Sequence, residues 1–209
     1  MYRPKPLNAK TPEHQTRALK QAIKHALKQW LLRPFGVDTG AQSVVMWPRE
    51  MRNRNRIHMG IHCRVCPYVV FNPLAVYGTT RLPGQIVLGD DVYIGGYTQL
   101  HAMNWMKIGE GFVLSEHVYV SDIAHGLDPR AGPIMAHPLE SRGLVRIGRR
   151  VFIGYGCSVM PGVTLGDHCV VSTRSVVTRS FPPYSMIAGG QARLIKTYNP
   201  DTGVWEAAP

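Results

Sequence analysis

The chain has 209 residues, of which 44% are apolar and 18% charged, a balance that belongs to a globular protein with a substantial core and excludes a disordered one. Its net charge of +11 is uneven: residues 1–60 carry 12 Lys and Arg against 3 Asp and Glu, and the rest carry 12 against 10. Basicity confined to one end, without RNA-binding or helix-turn-helix signatures, argues against nucleic acid as a partner. No apolar run approaches the roughly 18 residues of a spanning helix, and "MYRPKPLNAK" has no apolar leader core, so the chain reads as cytoplasmic.

In chain order, the segment "TPEHQTRALKQAIKHALKQWLLRPFG" reads as a helix. Thr11 is a suitable N-cap, Pro12 fits the first helical position, and Pro34 with Gly36 ends the run. Its apolar pairs, from Ala18/Leu19 to Trp30/Leu31, form one stripe, and Lys20, Lys24 and Lys28 line another face. Two readings stand: a helix packed on the body with solvated lysines, or contact with an anionic substrate or an anionic membrane surface, the latter placing the protein at the inner face of the membrane. Cys63 and Cys66 form a C-x2-C pair with no second pair to complete a zinc site, so the four cysteines read as structural thiols. "RIHMGIHCRVCPYVV" looks like the imperfect opening coil of a repeat that becomes regular further along the chain.

From Leu88 an aliphatic residue recurs at a spacing of six: Leu88, Ile94 and Leu100, then Ile108, Leu114 and Val120, then Ile147, Ile153, Val159, Leu165, Val171 and Val177. Gly follows it at Leu88, Ile94, Ile108, Ile147, Ile153 and Leu165, and a small or β-branched residue sits four positions on, as at Val92, Thr98, Val118, Cys157 and Ser175. A period of six suits neither a helix nor a two-faced strand. It suits short strands joined by tight turns and stacked coil on coil, a parallel β-helix of hexapeptides. The rhythm slips by two residues before Ile108 and breaks after Val120, where 27 residues separate positions that need six. A loop of that length without structure of its own points to function.

The closing coils, "VRIGRRVFIGYGCSVMPGVTLGDHCVVSTRSVVTRSFPPYSMIAGGQARLIKTY", and the interruption, "VYVSDIAHGLDP…HPLESRGLVRIG", resemble the hexapeptide-repeat acyltransferases, in particular their lipopolysaccharide and exopolysaccharide O-acetyltransferase branch. The resemblance implies a mainly β, left-handed parallel β-helix with an extruded catalytic loop, acetyl-CoA as co-substrate, no metal, a saccharide acceptor, and a homotrimer with active sites between neighbouring β-helices. Domain organisation then reads as a basic N-terminal helix and linker over 1–54, the β-helix over 55–187 with its loop at 121–146, and a C-terminal tail over 188–209.

Within the loop, His125 stands where the family places its general base. Acetyl transfer from a thioester to an alcohol needs the hydroxyl proton removed as the oxygen attacks, which a neutral imidazole does well near pH 7. Asp122 is a candidate for orienting that imidazole or for capping a turn, and Glu140 is a second candidate for the orienting role. The family's other loop histidine is replaced by Ile123, and His117 and His137 read as loop or interface residues. By resemblance, Gly154, Tyr155, Thr173, Thr178 and Arg179 line the pantetheine arm, and Arg193 and Lys196 lie near the phosphates. The sequence "VSTRSVV" is bulkier there than the family pattern. The alternatives are N-acetylation of a nucleotide-linked amino sugar, acetylation of an antibiotic or serine, a zinc enzyme like the γ-carbonic anhydrases whose His101, His117 and His125 would meet at a subunit interface, and a scaffold without catalysis.

Overall fold

The computed structural model describes residues 37–208, so the helix expected from Thr11 to Pro34 lies outside the described residues. Six three-strand coils stack from one end to the other. The first holds β1 Asp38–Thr39, β2 Val44–Val45 and β3 Glu50–Met51, and the second β4 Ile57–Met59, β5 Arg64–Val65 and β6 Val70–Pro73. A hairpin of β7 Val76–Tyr77 and β8 Thr80–Arg81 precedes the third coil of β9 Gln85–Leu88, β10 Tyr93–Ile94 and β11 Gln99–Ala102. The fourth is β12 Trp105–Ile108, β13 Val113–Leu114 and β14 Tyr119–Ser121, followed by a loop whose ends pair as β15 Ala124–His125 and β16 Leu139–Glu140. The fifth is β17 Val145–Ile147, β18 Phe152–Ile153 and β19 Ser158–Val159, and the sixth is β20 Thr164–Leu165, β21 Val170–Val171 and β22 Val176–Val177. Then β23 Ser185–Ala188, β24 Arg193–Asn199 and β25 Val204–Ala207 extend the second face, the last two antiparallel.

Each face is a parallel ladder, β1-β4-β9-β12-β17-β20 for the first and β3-β6-β11-β14-β19-β22 for the third. The chain is thus the left-handed parallel β-helix of hexapeptides expected from the sequence. Every one of the twelve register residues is buried, Leu88 and Ile147 at 3% exposure and the others at 1% or less. They stack in columns, such as Val65, Ile94, Leu114, Ile153, Val171 and Ile187 on the second face. Burying each aliphatic side chain contributes about 1.5–3 kcal/mol. The corner residues Thr98, Cys157, Cys169 and Ser175 are fully enclosed, and burial pushes the Cys157 and Cys169 thiols up. All four cysteines are free.

The turns explain the glycines. The Cβ of any side chain at Gly109 would sit 2.5 Å from the Gly148 carbonyl oxygen of the next coil. Elsewhere the corner residue is left-handed without being glycine, as at Tyr97 (φ 60) and His117 (φ 57), whose rings stack at 4.8 Å.

Two features differ from the sequence-based boundaries. Residues 38–51, assigned to the linker, form the first coil: Thr39, Val45 and Met51 occupy its inward register, and a Thr and a Met hide the aliphatic signature. The second is the hairpin at 76–81, an insertion that the irregular opening repeat concealed.

Candidate active site

Both insertions leave the solenoid at the same corner, between the third and first faces. The hairpin follows β6 and the long loop follows β14, so stacking brings them together. Between them lies a cavity of about 360 Å3 whose lining includes Arg52, Asn72, Tyr77, His101, Ser121 and His125. His125 is half-buried on β15, held opposite Leu139 by the short antiparallel pairing, with the Tyr77 ring edge-on at 6.0 Å. Its Nδ1 is buried and has no hydrogen-bond partner among the described residues.

The two carboxylates considered for orienting His125 are differently engaged. Asp122 is fully buried, and its Oδ1 and Oδ2 accept the backbone N–H groups of Met103 (2.6 Å) and Asn104 (3.0 Å). It ties the loop's root to the coil below; the orienting role considered for it gives way to this capping one. Burial raises its pKa above the ordinary carboxyl value, partly offset by those N–H donors. Glu140 is exposed, with its carboxylate over Gly126, the residue after His125. The groups that fix the loop are others. Ser121 Oγ accepts the Ile123 N–H at 3.0 Å, and the ring nitrogens of buried His137 face the carbonyl oxygens of Gly126 and Gly132.

His101 forms the cavity wall. The Asn72 amide N–H donates to its Nδ1, and its Nε2–H donates to Gln99 Oε1, both at 3.1 Å. Burial holds its pKa below the usual histidine value, so the ring is neutral at pH 7. His117 sits at another corner of the coil, between the rings of Tyr97 and Tyr155. Among the described residues no cluster of three metal-ligating side chains occurs.

From His125 a groove continues along the corner. A hollow of about 240 Å3 shares Ile123 and Ala124 with the first cavity and is lined by Arg142, Met160, Pro161 and Thr178. A third, of about 300 Å3, is lined by Thr178, Arg179, Gln191, Ala192 and Arg193. The structure therefore gathers Thr178, Arg179 and Arg193 into one groove with His125. Gly154, Tyr155 and Thr173 lie at the other edge of the third face, where a Cβ at Gly154 would come within 2.7 Å of the Thr173 nitrogen. Lys196 is on β24, paired with Met186 on the extended second face. Tyr77 and Arg142 were missed in the sequence because the insertions that carry them have no periodicity, and Asn72 and Met160 because coil-on-coil register, not a local pattern, brings them to the site.

The family model for bacterial transferase hexapeptides (six repeats) matches residues 145–179. Over 132 residues the chain is 35% identical to the putative lipopolysaccharide biosynthesis O-acetyl transferase WbbJ of Escherichia coli (strain K12), covering 60% of this chain and 67% of that protein. The chain belongs to the hexapeptide-repeat transferase family. Another relative, an acetyltransferase by name from Mycobacterium tuberculosis (strain ATCC 25618 / H37Rv), is 30% identical over 63% of this chain, which spans only 40% of its length. In fold, the hexapeptide chain resembles AntD, an N-acyltransferase from Bacillus cereus solved with dTDP and 3-hydroxybutyryl-CoA, with a TM-score of 0.70 and 19% identity over 83% of this chain and 90% of that one. No helix of the described residues is long and apolar enough to cross a membrane.

Proposed function

We propose that the protein transfers an acetyl group from acetyl-CoA to a hydroxyl of a saccharide, by direct attack with His125 as general base. The observation that carries this reading is the placement of His125: half-buried, free of any protein hydrogen bond at Nδ1 among the described residues, and situated between a cavity and a groove that ends in two arginines. The names of the relatives support the substrate class, since WbbJ is named for lipopolysaccharide biosynthesis.

In this scheme the Arg179 and Arg193 guanidiniums pair with the CoA phosphates, as guanidinium forks favour phosphate oxygens. The pantetheine arm lies past Thr178, Met160 and Pro161, and brings the thioester to Ala124 and His125. The acceptor occupies the 360 Å3 cavity. Its hydroxyl proton passes to the imidazole as its oxygen attacks the thioester carbon. Collapse of the tetrahedral intermediate breaks the C–S bond, and the imidazolium returns its proton to the CoA thiolate, so the ester and the free thiol balance the reaction. Asp122 holds the loop's root, and Glu140 acts on the loop beside Gly126. We further propose a homotrimer: Gly154, Tyr155 and Thr173 lie across the third face from the groove, and a second copy packed on that face brings them to it.

Thiol release from acetyl-CoA, measured with a saccharide panel, tests the reading. Saccharide-dependent release that falls several hundredfold in His125→Ala, with acetyl-CoA binding intact, is the expected result. Undiminished release in that variant overturns His125 as the base.

A further inference from the structure

Four residues of the third face stand at one outward register position in successive coils: Arg52 beside Asn72, Asn72 opposite His101, and His101 opposite Ser121. All four line the cavity that ends at His125. With coils ~4.8 Å apart, Arg52 stands ~14 Å below Ser121, at the far end from the reacting imidazole.

This column carries unspent hydrogen-bonding capacity. Three buried side-chain polar atoms lack a partner among the described residues, and two of them, Asn72 Oδ1 and His125 Nδ1, belong to residues that line this cavity, although both atoms are themselves enclosed. Asn72 spends its amide N–H on His101, whose other nitrogen is held by Gln99, so its oxygen is left as an acceptor without a donor. Arg52 bonds the Glu50 carboxylate through Nε, and its two terminal nitrogens make no hydrogen bond among the described residues. Its side chain is 59% exposed, and Arg49, Arg54 and Arg56 on the same stretch outweigh the single Glu50. Arg56 is spent on the Leu82 and Gly84 carbonyls, which fixes the hairpin that walls the cavity.

We infer that the acceptor is an anionic saccharide longer than one sugar ring, with its reacting hydroxyl at His125 and a carboxylate or phosphate oxyanion seated on the free fork of Arg52. The inference rests on the O-acetyltransferase reading. Arg52 selects the acceptor through ground-state binding, so its removal acts on acceptor KM more than on kcat.

The test uses the full chain with acetyl-CoA and saccharides matched in length, in neutral, uronate-bearing and phosphate-bearing forms, at low and at moderate salt. The wild type is expected to favour a charged form at least tenfold in kcat/KM at low salt, less so as salt rises. Which charged form leads identifies a uronate or a phosphate as the source of the oxyanion. Arg52→Ala should raise the KM for that form at least tenfold, leave the KM for acetyl-CoA where it was, and erase the preference. Arg52→Lys should restore part of it. A wild type that uses neutral saccharides equally well, or an Arg52→Ala variant that keeps the preference, overturns the anionic acceptor while leaving O-acetyl transfer standing. Failure of the wild type on every saccharide, together with turnover on a non-saccharide acceptor, overturns both.

Discussion

His125 and Asp122, three residues apart, show how little a spacing says about roles. One has an unpartnered ring nitrogen at a cavity; the other has both carboxylate oxygens committed to backbone N–H groups. Asp122→Ala leaves one buried donor, Met103 N–H, and one half-buried donor, Asn104 N–H, without their acceptor, and the loss at a buried donor costs about 1–3 kcal/mol. A fall in thermal midpoint of ~5 °C or more is expected, at about 2–4 °C per kcal/mol for a chain of this size; an unchanged midpoint in calorimetry would argue against the cap. His101 gives a pH dependence of definite sign. Burial lowers its folded-state pKa, so its contribution to stability is present above the unfolded value of about 6.5 and is lost as pH falls through the folded value. Thermal midpoints should therefore drop on acidification from pH 7 to 5, and drop less in His101→Gln; parallel curves for the two proteins would refute it. His125 stands out as a candidate base in the sequence because the loop motif surrounds it. That Asp122 caps and that Tyr77 meets the imidazole were not legible, since both depend on which coils stack.

At the scale of elements, the solenoid and its insertions follow different rules. Inside a coil, an interior with room for one aliphatic residue per strand imposes the six-residue period, so Leu88 through Val177 could be placed by counting. The first coil escaped because Thr39 and Met51 fill two of its three inward positions. The loop at 122–144 is held by local bonds, chiefly the contacts of His137 with Gly126 and Gly132. Removing that ring by His137→Ala should quicken proteolysis between Gly126 and His137 and lower kcat about tenfold, with little change in the melting of the stacked coils. A large melting shift would instead mean that the loop is part of the cooperative core. Gly109→Ala is the opposite case: its Cβ meets backbone of the next coil, and backbone cannot rotate away. It should cost about 1–3 kcal/mol, as overpacking does, without a specific effect on acetyl-CoA binding.

At the scale of the whole molecule, stacking converts separate insertions into one edge. The hairpin and the loop leave different levels of the same corner, and so the cavity, the groove and the arginines at its end form one path. The proposed trimer is checked by light scattering, which should report three chains. Mixing His125→Ala with a Thr173→Trp variant before co-refolding should recover activity that neither has alone, because a mixed trimer contains one groove with both native contributions. Full activity from a monodisperse monomer would overturn the shared site.

The sequence by itself determined the coil, its period and the buried register, because each is set by neighbours within a few residues or by the uniform demand of a narrow interior, and its resemblance to a family marked His125 as the candidate base. Only the tertiary structure decided which residues surround that histidine. Arg52, Asn72, Tyr77, His101 and Ser121 lie on different coils or insertions, and what joins them is coil-on-coil register, a relation between backbone levels that no local pattern of side chains records.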